Sequence, residues 1–320
     1  MAENIEPIKG TSLARDAWRR LLKNKLAVFG MIVLGVMLVA VTFGPPIIRL
    51  TTGLTADYIP SDGNLIKSLP PSWQHPMGTD EAGRDLLARV LQGGRISLMV
   101  GIISTIVSLI VGVSYGAIAG YLGGRIDNIM MRIVDIIYAI PYILIVIVLL
   151  SVFGGPNTPE WIKFLSEKIG GAGNQGLSQI FLLFFALGLV SWLTMARVVR
   201  GQILSLKNQE FVLAAKATGV STLGIIFRHL VPNALGPVIV YATLTVPSVM
   251  LTEAFLSFLG LGVQAPYASW GSLASDGIKN IAIFPWQLIF PGVTMALTLF
   301  SLNFLGDGLR DALDPQTRKF

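Results

Sequence analysis

Six long apolar stretches constrain this chain more than any other feature of its sequence. They occupy residues 26–48, 97–121, 131–153, 177–198, 234–260 and 286–306. Each is long enough to cross the hydrocarbon core of a bilayer, which takes roughly 20 apolar residues in a helix. With 53% hydrophobic and only 13% charged residues, the chain is also too apolar for an ordinary soluble domain. We therefore expect an all-α integral membrane protein with six transmembrane helices.

The first stretch, residues 26–48, is predicted to be a transmembrane helix and not a cleaved signal peptide. Its apolar run exceeds the roughly 7–15 residues of a signal sequence. The segment Gly44-Pro45-Pro46 that follows offers no small-x-small cleavage site.

Lys and Arg placement predicts that both termini are cytoplasmic. The cytoplasmic segments would be the tail 1–25, the loops after the second and fourth stretches, and the tail 307–320. These carry about twice as many Lys and Arg residues as the external segments, as the positive-inside rule requires. The core of five spans is then 97–306, with a cytoplasmic loop at about 200–232.

The external segment 49–96, inserted after the first span, is predicted to contain an amphipathic helix. Thr79 is placed to cap it, Asp80 and Glu81 lie in its first turn, and Gly93-Gly94 would end it. This helix is either a structural cover over the bundle or a docking surface for an external partner. The candidate docking residues are Thr79, Asp80, Arg84 and Asp85.

A second short helix is predicted in the cytoplasmic loop between the fourth and fifth spans. Asn208 is a suitable cap, Glu210 suits the first turn and Gly219 is a suitable stop. A further helix is expected at 222–230, ending before Pro232. The first of the two is either a surface or re-entrant helix, or it docks in a groove on another protein.

Two carboxylates lie inside apolar stretches, where an unpaired charge is costly. Asp135 follows Arg132 by three residues, so we expect a local ion pair near the cytoplasmic end of the third span. Glu253 lies deeper in the fifth span. It either lines a transport path or forms a hydrogen bond across a subunit interface.

Two other features bear on how the spans pack. Pro141 and Pro247 interrupt their stretches, either as structural prolines or as breaks at a substrate path. The pattern Gly112, Gly116 and Gly120 predicts a face for close helix packing.

The cytoplasmic loop carries a family resemblance. Ala214, Ala215, Gly219 and Pro232 match the Glu-Ala-Ala…Gly…Pro pattern of inner-membrane permease subunits in binding-protein-dependent ABC importers. Leu213 departs from it, because it stands where that family usually has glutamate.

Further motifs resemble the C-type subunit of peptide permeases, especially oligopeptide ones, and the resemblance runs from about residue 12 to 315. The matching segments are His75-Pro76-Met77-Gly78-Thr79-Asp80, Gly83-Arg84-Asp85, Arg228-His229, Pro232-Asn233, Ser257-Phe258-Leu259-Gly260-Leu261-Gly262, Ser269-Trp270-Gly271 and 306–315.

The resemblance implies a bacterial inner-membrane assembly of five parts. Two homologous permease subunits form a path for peptides, two ATPase subunits power it, and a periplasmic or lipid-anchored binding protein delivers substrate. The cytoplasmic helix would be the coupling helix that sits in an ATPase cleft, so ATP and magnesium would act in those partners. The implied coupling residues are Glu210, Phe211, Ala214, Ala215, Lys216, Gly219 and Pro232.

The residues themselves are consistent with a non-catalytic transport subunit that binds no cofactor or metal. The chain has no Gly-x-x-x-x-Gly-Lys-[Ser/Thr] phosphate loop, no cysteine and only two histidines. Its +6 charge follows membrane topology, so we expect membrane lipid and not nucleic acid as a partner. An ion-gradient-driven secondary transporter using Asp135 and Glu253 is the main alternative, and an intramembrane enzyme a distant one. Oligopeptide, dipeptide, cell-wall peptide, nickel and sugar substrates remain open.

Overall fold

The computed structural model of the protein describes residues 13–59, 68–153, 159–161, 163–164, 168 and 175–313. The start of the N-terminal tail, the end of the C-terminal tail and most of 154–176 lie outside this part. Within it the fold is all-helical. The helices are α1 Leu13–Lys23, α2 Lys25–Thr52, α3 Leu86–Leu122, α4 Gly124–Ala139, α5 Tyr142–Phe153, α6 Gln175–Leu206, α7 Glu210–Ala217, α8 Thr222–Phe258, α9 Trp270–Lys279 and α10 Trp286–Leu313.

Five of these helices are long and apolar enough to cross a membrane: α2, α3, α6, α8 and α10. The predicted third span, 131–153, is broken, because α4 and α5 meet at an angle of 84°. If this bent pair forms one span, the described part of the chain has six. The prediction of an all-helical membrane protein is confirmed at that level.

The break between α4 and α5 has a local cause in Pro141. A proline disfavours helical geometry at the preceding residue and supplies no N–H of its own. Ile140 is accordingly extended, with φ −80° and ψ 130°, and α5 begins again at Tyr142.

The predicted start at Thr79 and the predicted end at Gly93-Gly94 of the external helix are both wrong. The structure begins α3 at Leu86, where the Asp85 carboxylate accepts a hydrogen bond from the Ala88 amide at 2.8 Å. The Thr79 hydroxyl instead accepts one from the Leu69 amide at 2.6 Å. The helix then runs through Gly93-Gly94 into the second span, so the external helix and the span are one element.

Gly94 is required by packing and does not end the helix. A Cβ atom added there would lie 2.4 Å from Trp270 Cζ2. Trp270, at the start of α9, is fully buried and its indole N–H donates to the Val90 carbonyl at 2.8 Å. The glycine therefore lets α9 approach α3 closely.

The predicted helix stop before Pro232 is also wrong, since α8 continues from Thr222 to Phe258. Residues Ile225–Leu230 form a wider π-helical turn just before the proline. The Asn233 side-chain amide donates to the His229 carbonyl at 2.6 Å, on the turn where proline leaves the backbone short of a donor.

The glycine face predicted on the second span packs α3 against α6. A Cβ atom at Gly116 would lie 2.3 Å from the Ala196 carbonyl oxygen, and one at Gly112 would lie 2.6 Å from Met195 Cβ. The two helices contribute buried residues to the largest hydrophobic cluster, among them Val100, Leu187 and Leu193. This pair is the scaffold on which the other elements are placed.

Candidate functional site

Helix α7, Glu210–Ala217, has an inward side and an outward side. Val212 and Ala215 are buried against a hydrophobic cluster that includes Ile203 and Ile226. The outward side leaves Phe211 and Leu213 exposed to solvent. Glu210, Ala214 and Lys216 are exposed as well. Within this chain Ala215 is therefore a packing contact, and the other side of the helix is open to solvent.

The start of α7 differs from expectation by one residue, and the predicted stop at Gly219 is confirmed. Gln209, not Asn208, occupies the N-cap position, and its side chain makes no capping hydrogen bond. At the other end Gly219 has φ +78°, a left-handed conformation that favours glycine. Its N–H donates to the Lys216 carbonyl, and that of Val220 donates to the Ala215 carbonyl. These bonds form a Schellman-type stop.

The external segment before α3 is a compact loop organised by Thr79 and Asp80. The Thr79 carbonyl accepts hydrogen bonds from Gln287 Nε2 at 3.0 Å and Trp286 Nε1 at 3.3 Å, both on α10. Asp80 accepts from the Arg84 side chain at 2.7 Å and lies 3.2 Å from the buried Arg89 guanidinium. Thr79 itself is buried. These contacts fix the loop to the bundle.

Asp85 and Arg84 complete this loop. The Asp85 carboxylate lies 2.8 Å from His75 Nδ1 while it also caps α3. The four predicted docking residues are thus engaged within the chain, and Asp85 is nearly inaccessible. The outer surface of the loop is formed by neighbouring exposed groups. Among them are Trp73, which is fully exposed, and Glu81, which is hydrogen-bonded to Asn280 after α9.

Asp135 pairs with a different arginine from the one that its position predicts. Its carboxylate lies 2.7 Å from Arg197 Nη2 on α6, and the expected pair with Arg132 does not form. The two residues are 62 positions apart on different helices, so the spacing rule for pairs within one helix does not predict their contact. The Arg197 guanidinium also lies 4.4 Å from the centre of the Tyr138 ring.

A second ion pair between α4 and α6 was not predicted. Asp127 accepts two hydrogen bonds from Arg200, each at 2.6 Å. A signal for it exists in the sequence, because Arg197 and Arg200 share one face of α6 at the end assigned to the cytoplasm. Asp127 lies in the first turn of α4, and Asp135 lies eight residues further along the same helix.

Glu253 is buried inside this chain, with 1% of its surface exposed. Its Oε1 atom accepts hydrogen bonds from Ser257 at 2.7 Å and from Ser269 at 2.6 Å. Ser269 caps α9, so the carboxylate connects α8 to the start of α9.

A cavity of about 610 Å³ opens beside the break between α4 and α5. Segments of α6 and α8 form its other walls, including Ser191 and Thr252. Asp135 and Glu253 are not among the residues that line it.

In the described ranges no group of three or more His, Cys, Asp or Glu side chains is placed to hold a metal ion. The sequence contains no Gly-x-x-x-x-Gly-Lys-[Ser/Thr] phosphate-binding loop, in α7 or elsewhere.

Comparison with known proteins assigns the chain to a family. Residues 112–319 match the model of the binding-protein-dependent transport system inner membrane component, and residues 12–71 match that of the N-terminal TM domain of oligopeptide transport permease C.

Several relatives are similar along nearly the whole chain. The oligopeptide transport system permease protein OppC of Salmonella typhimurium is 50% identical over 318 residues, which cover 99% of this chain and 95% of the relative. OppC of Bacillus subtilis is 44% identical over 99% of this chain and 94% of its own length. The dipeptide transport system permease protein DppC of the same organism is 44% identical over 96% of this chain and 87% of its own length.

These matches are consistent with the combination of several membrane spans and a partly exposed short helix, α7, between α6 and α8. The chain is a multi-pass inner-membrane protein. It belongs to the family of binding-protein-dependent transport system inner membrane components, in the branch of the C-type oligopeptide transport permeases.

Proposed function

We propose that this protein is one of two permease subunits of an ATP-driven importer that carries peptides, most specifically oligopeptides, across the inner membrane. The outward face of α7 carries the proposal, because it presents Phe211 and Leu213 to solvent on a helix whose inward side is fixed by burial. Full-length similarity to peptide permeases supports the choice of substrate.

The complete assembly has five parts. A homologous permease subunit completes the path, two ATPase subunits bind ATP and magnesium in the cytoplasm, and a binding protein delivers peptide from outside. The chain crosses the membrane six times, with α4 and α5 as one broken span, and both termini are cytoplasmic. The excess of Lys and Arg on that side supports this topology.

In this assembly α7 is the coupling helix. Its inward side, which includes Val212, packs against the first turns of α8. A displacement of α7 by a partner on its outward side is therefore transmitted to the spans. Closure of the ATPases on ATP would bias the spans between two packings by this route. Gly219 lies in the short connection from α7 to α8, and the π-helical turn before Pro232 lies in the first part of α8. Glu210, Ala214 and Lys216 lie at the contact with the ATPase.

The coupling role is tested by Phe211→Ala in the complete transporter reconstituted in proteoliposomes. Truncating an aromatic residue at the centre of an interface commonly costs about 2 kcal/mol or more of binding free energy. The amount of ATPase subunit that co-purifies with the permease, or the rate of peptide-stimulated ATP hydrolysis, should therefore fall at least tenfold. Phe43→Ala on α2, which removes another exposed phenylalanine, is the matched control. Equal loss in both variants, or in neither, would count against coupling through α7.

The outer loop around Thr79, Asp80, Arg84 and Asp85 is proposed as the frame of the docking surface for the binding protein. Its internal hydrogen bonds hold it rigid, and the exposed Trp73 and Glu81 make the contact. Trp73→Ala should raise the concentration of loaded binding protein needed for half-maximal ATP hydrolysis. An unchanged concentration dependence would remove Trp73 from this surface.

Ion-gradient-driven transport has weaker support. Asp135 is paired with Arg197, and Glu253 is enclosed by two serine hydroxyl groups away from the cavity. Neither carboxylate is placed to take up and release an ion beside a substrate.

A further inference from the structure

The cavity at the break between α4 and α5 is lined by polar but uncharged side chains together with apolar ones. Eight of its sixteen lining residues carry a hydroxyl group, and none of these described residues carries a charge. Tyr142, the first residue of α5, faces the side chains of Ser191 and Thr252. Tyr241 of α8 faces Thr194 and Thr245 in the same way. With Tyr138 on α4, the hydroxyl groups therefore come from four helices and converge on one space.

Three of the five serine and threonine hydroxyl groups that line the cavity donate their protons to backbone carbonyl groups. Ser191 donates to the Leu187 carbonyl at 2.8 Å, Thr245 donates to that of Tyr241 at 2.9 Å, and Thr252 donates to that of Ser248 at 2.9 Å. Each hydroxyl oxygen retains lone pairs that can accept a hydrogen bond. The tyrosine hydroxyl groups can donate or accept. The walls thus offer several acceptors and a few adaptable donors.

This set of groups matches an extended peptide main chain. Such a chain presents N–H donors and C=O acceptors at every residue, whatever its side chains are. The volume of about 610 Å³ lies within the range of about 300–1,000 Å³ typical of small-molecule sites.

The nearest ion pair does not give the cavity a net charge. Arg197 stacks on the lining residue Tyr138 but is paired with Asp135 at 2.7 Å. A peptide with an acidic side chain and one with a basic side chain therefore meet the same neutral surface.

We infer that this cavity is a half-site for the main chain of a peptide in transit, and that its lack of charge lets the transporter accept acidic and basic peptides alike. The inference rests on the proposed function and deepens it. The second permease subunit would close the open side.

The first test introduces one fixed charge. Ser248 lines the cavity and is exposed to it, and Ser248→Asp can be compared with the uncharged, similarly sized Ser248→Asn. Uptake of a glutamate-containing and of a lysine-containing tripeptide is measured in proteoliposomes with the complete transporter. Each uptake rate is divided by the fraction of the binding protein that carries that peptide. Ser248→Asp should shift the ratio of the two rates at least about tenfold against the acidic peptide, since charges in a partly dry site interact strongly. Ser248→Asn should leave the ratio at the wild-type value.

A second test does not depend on tolerance of a buried charge. The chain contains no cysteine, so Ser248→Cys creates a single thiol in this subunit. A tripeptide carrying a thiol-reactive group should label it during ATP turnover, and unreactive peptide should compete. Ser114→Cys, in a separate groove between α3 and α8, is the control and should label slowly at a rate that unreactive peptide does not change.

The outcomes separate the two claims. Absence of ATP-driven peptide uptake by the wild-type assembly would overturn the proposed function itself. If uptake is normal but Ser248→Asp keeps the wild-type ratio, or Ser248→Cys labels no faster than Ser114→Cys, the half-site is wrong while the function stands. A shifted ratio with peptide-protected labelling of Ser248→Cys supports the half-site.

Discussion

Arg200 on α6 holds Asp127 on α4 by two parallel hydrogen bonds, each 2.6 Å long. The Asp127 side chain is only 8% exposed, whereas Asp135, in the other pair between these helices, is 64% exposed. The Asp127 pair is therefore expected to contribute more to the stability of the fold than the Asp135 pair, because an exposed ion pair is only slightly more favourable than two separately hydrated charges.

Asp127→Asn is expected to lower the stability of the subunit by about 1–3 kcal/mol, since it leaves the Arg200 guanidinium without its charged partner. Asp135→Asn should change it by less than about 1 kcal/mol. Thermal unfolding in detergent, followed by the loss of monodisperse protein, measures both. Equal effects of the two substitutions would contradict the difference in burial.

The sequence predicts the membrane spans well because hydropathy is a local property of a segment. The close packing at Gly112 and Gly116 was predicted for a similar reason, since small residues one turn apart form a groove whatever fills it. The break at Pro141 was one of the alternatives that the local chemistry of proline leaves open.

The errors have tertiary causes. The pair Gly93-Gly94 is typical of a helix stop, but in the structure the missing side chain of Gly94 makes room for Trp270 from a distant part of the chain. Pro232 is typical of a helix boundary, but the π-helical turn before it lets α8 continue through the proline. The partner of Asp135 comes from a helix 62 residues away, where a rule for neighbouring residues does not apply.

The glycine packing predicts a contrast between two substitutions to alanine. Gly116→Ala places a methyl group 2.3 Å from a backbone oxygen of α6, whereas Gly35→Ala on α2 meets no atom within 4 Å. Gly116→Ala should destabilise the subunit by about 1–3 kcal/mol through overpacking. Gly35→Ala should be neutral or stabilising by up to about 1 kcal/mol. The same thermal assay measures both, and a stable Gly116→Ala protein would argue against close α3–α6 contact.

Gly219 tests whether the end of α7 needs its left-handed backbone. Space is not limiting there, because an added Cβ would meet no atom within 4 Å, so any cost comes from φ +78°. Gly219→Val should lower peptide uptake per ATP hydrolysed more than Gly219→Asn does, since asparagine tolerates this conformation and a β-branched residue does not. Uptake and hydrolysis are measured on the same proteoliposomes. Indistinguishable variants would mean that this backbone conformation does not matter for coupling.

Glu253 is expected to act as a hydrogen-bond acceptor and not as a charge in the path. Both serine hydroxyl groups donate to Oε1, and a glutamine side chain offers an oxygen in the same place. Glu253→Gln should therefore assemble and transport within about twofold of wild type. Glu253→Leu, which leaves two buried hydroxyl groups without this acceptor, should reduce the yield of assembled transporter. Loss of transport in an assembled Glu253→Gln protein would point instead to a role for the charge.

The most direct test of the account is the energy source of transport. The tagged chain is purified with its partners, reconstituted with peptide-loaded binding protein, and assayed for peptide uptake with ATP or with an imposed ion gradient. We predict that a second permease and ATPase subunits co-purify, and that uptake needs ATP and persists when ionophores collapse all gradients. A chain that purifies alone and moves peptide on a proton or sodium gradient without ATP would contradict the account.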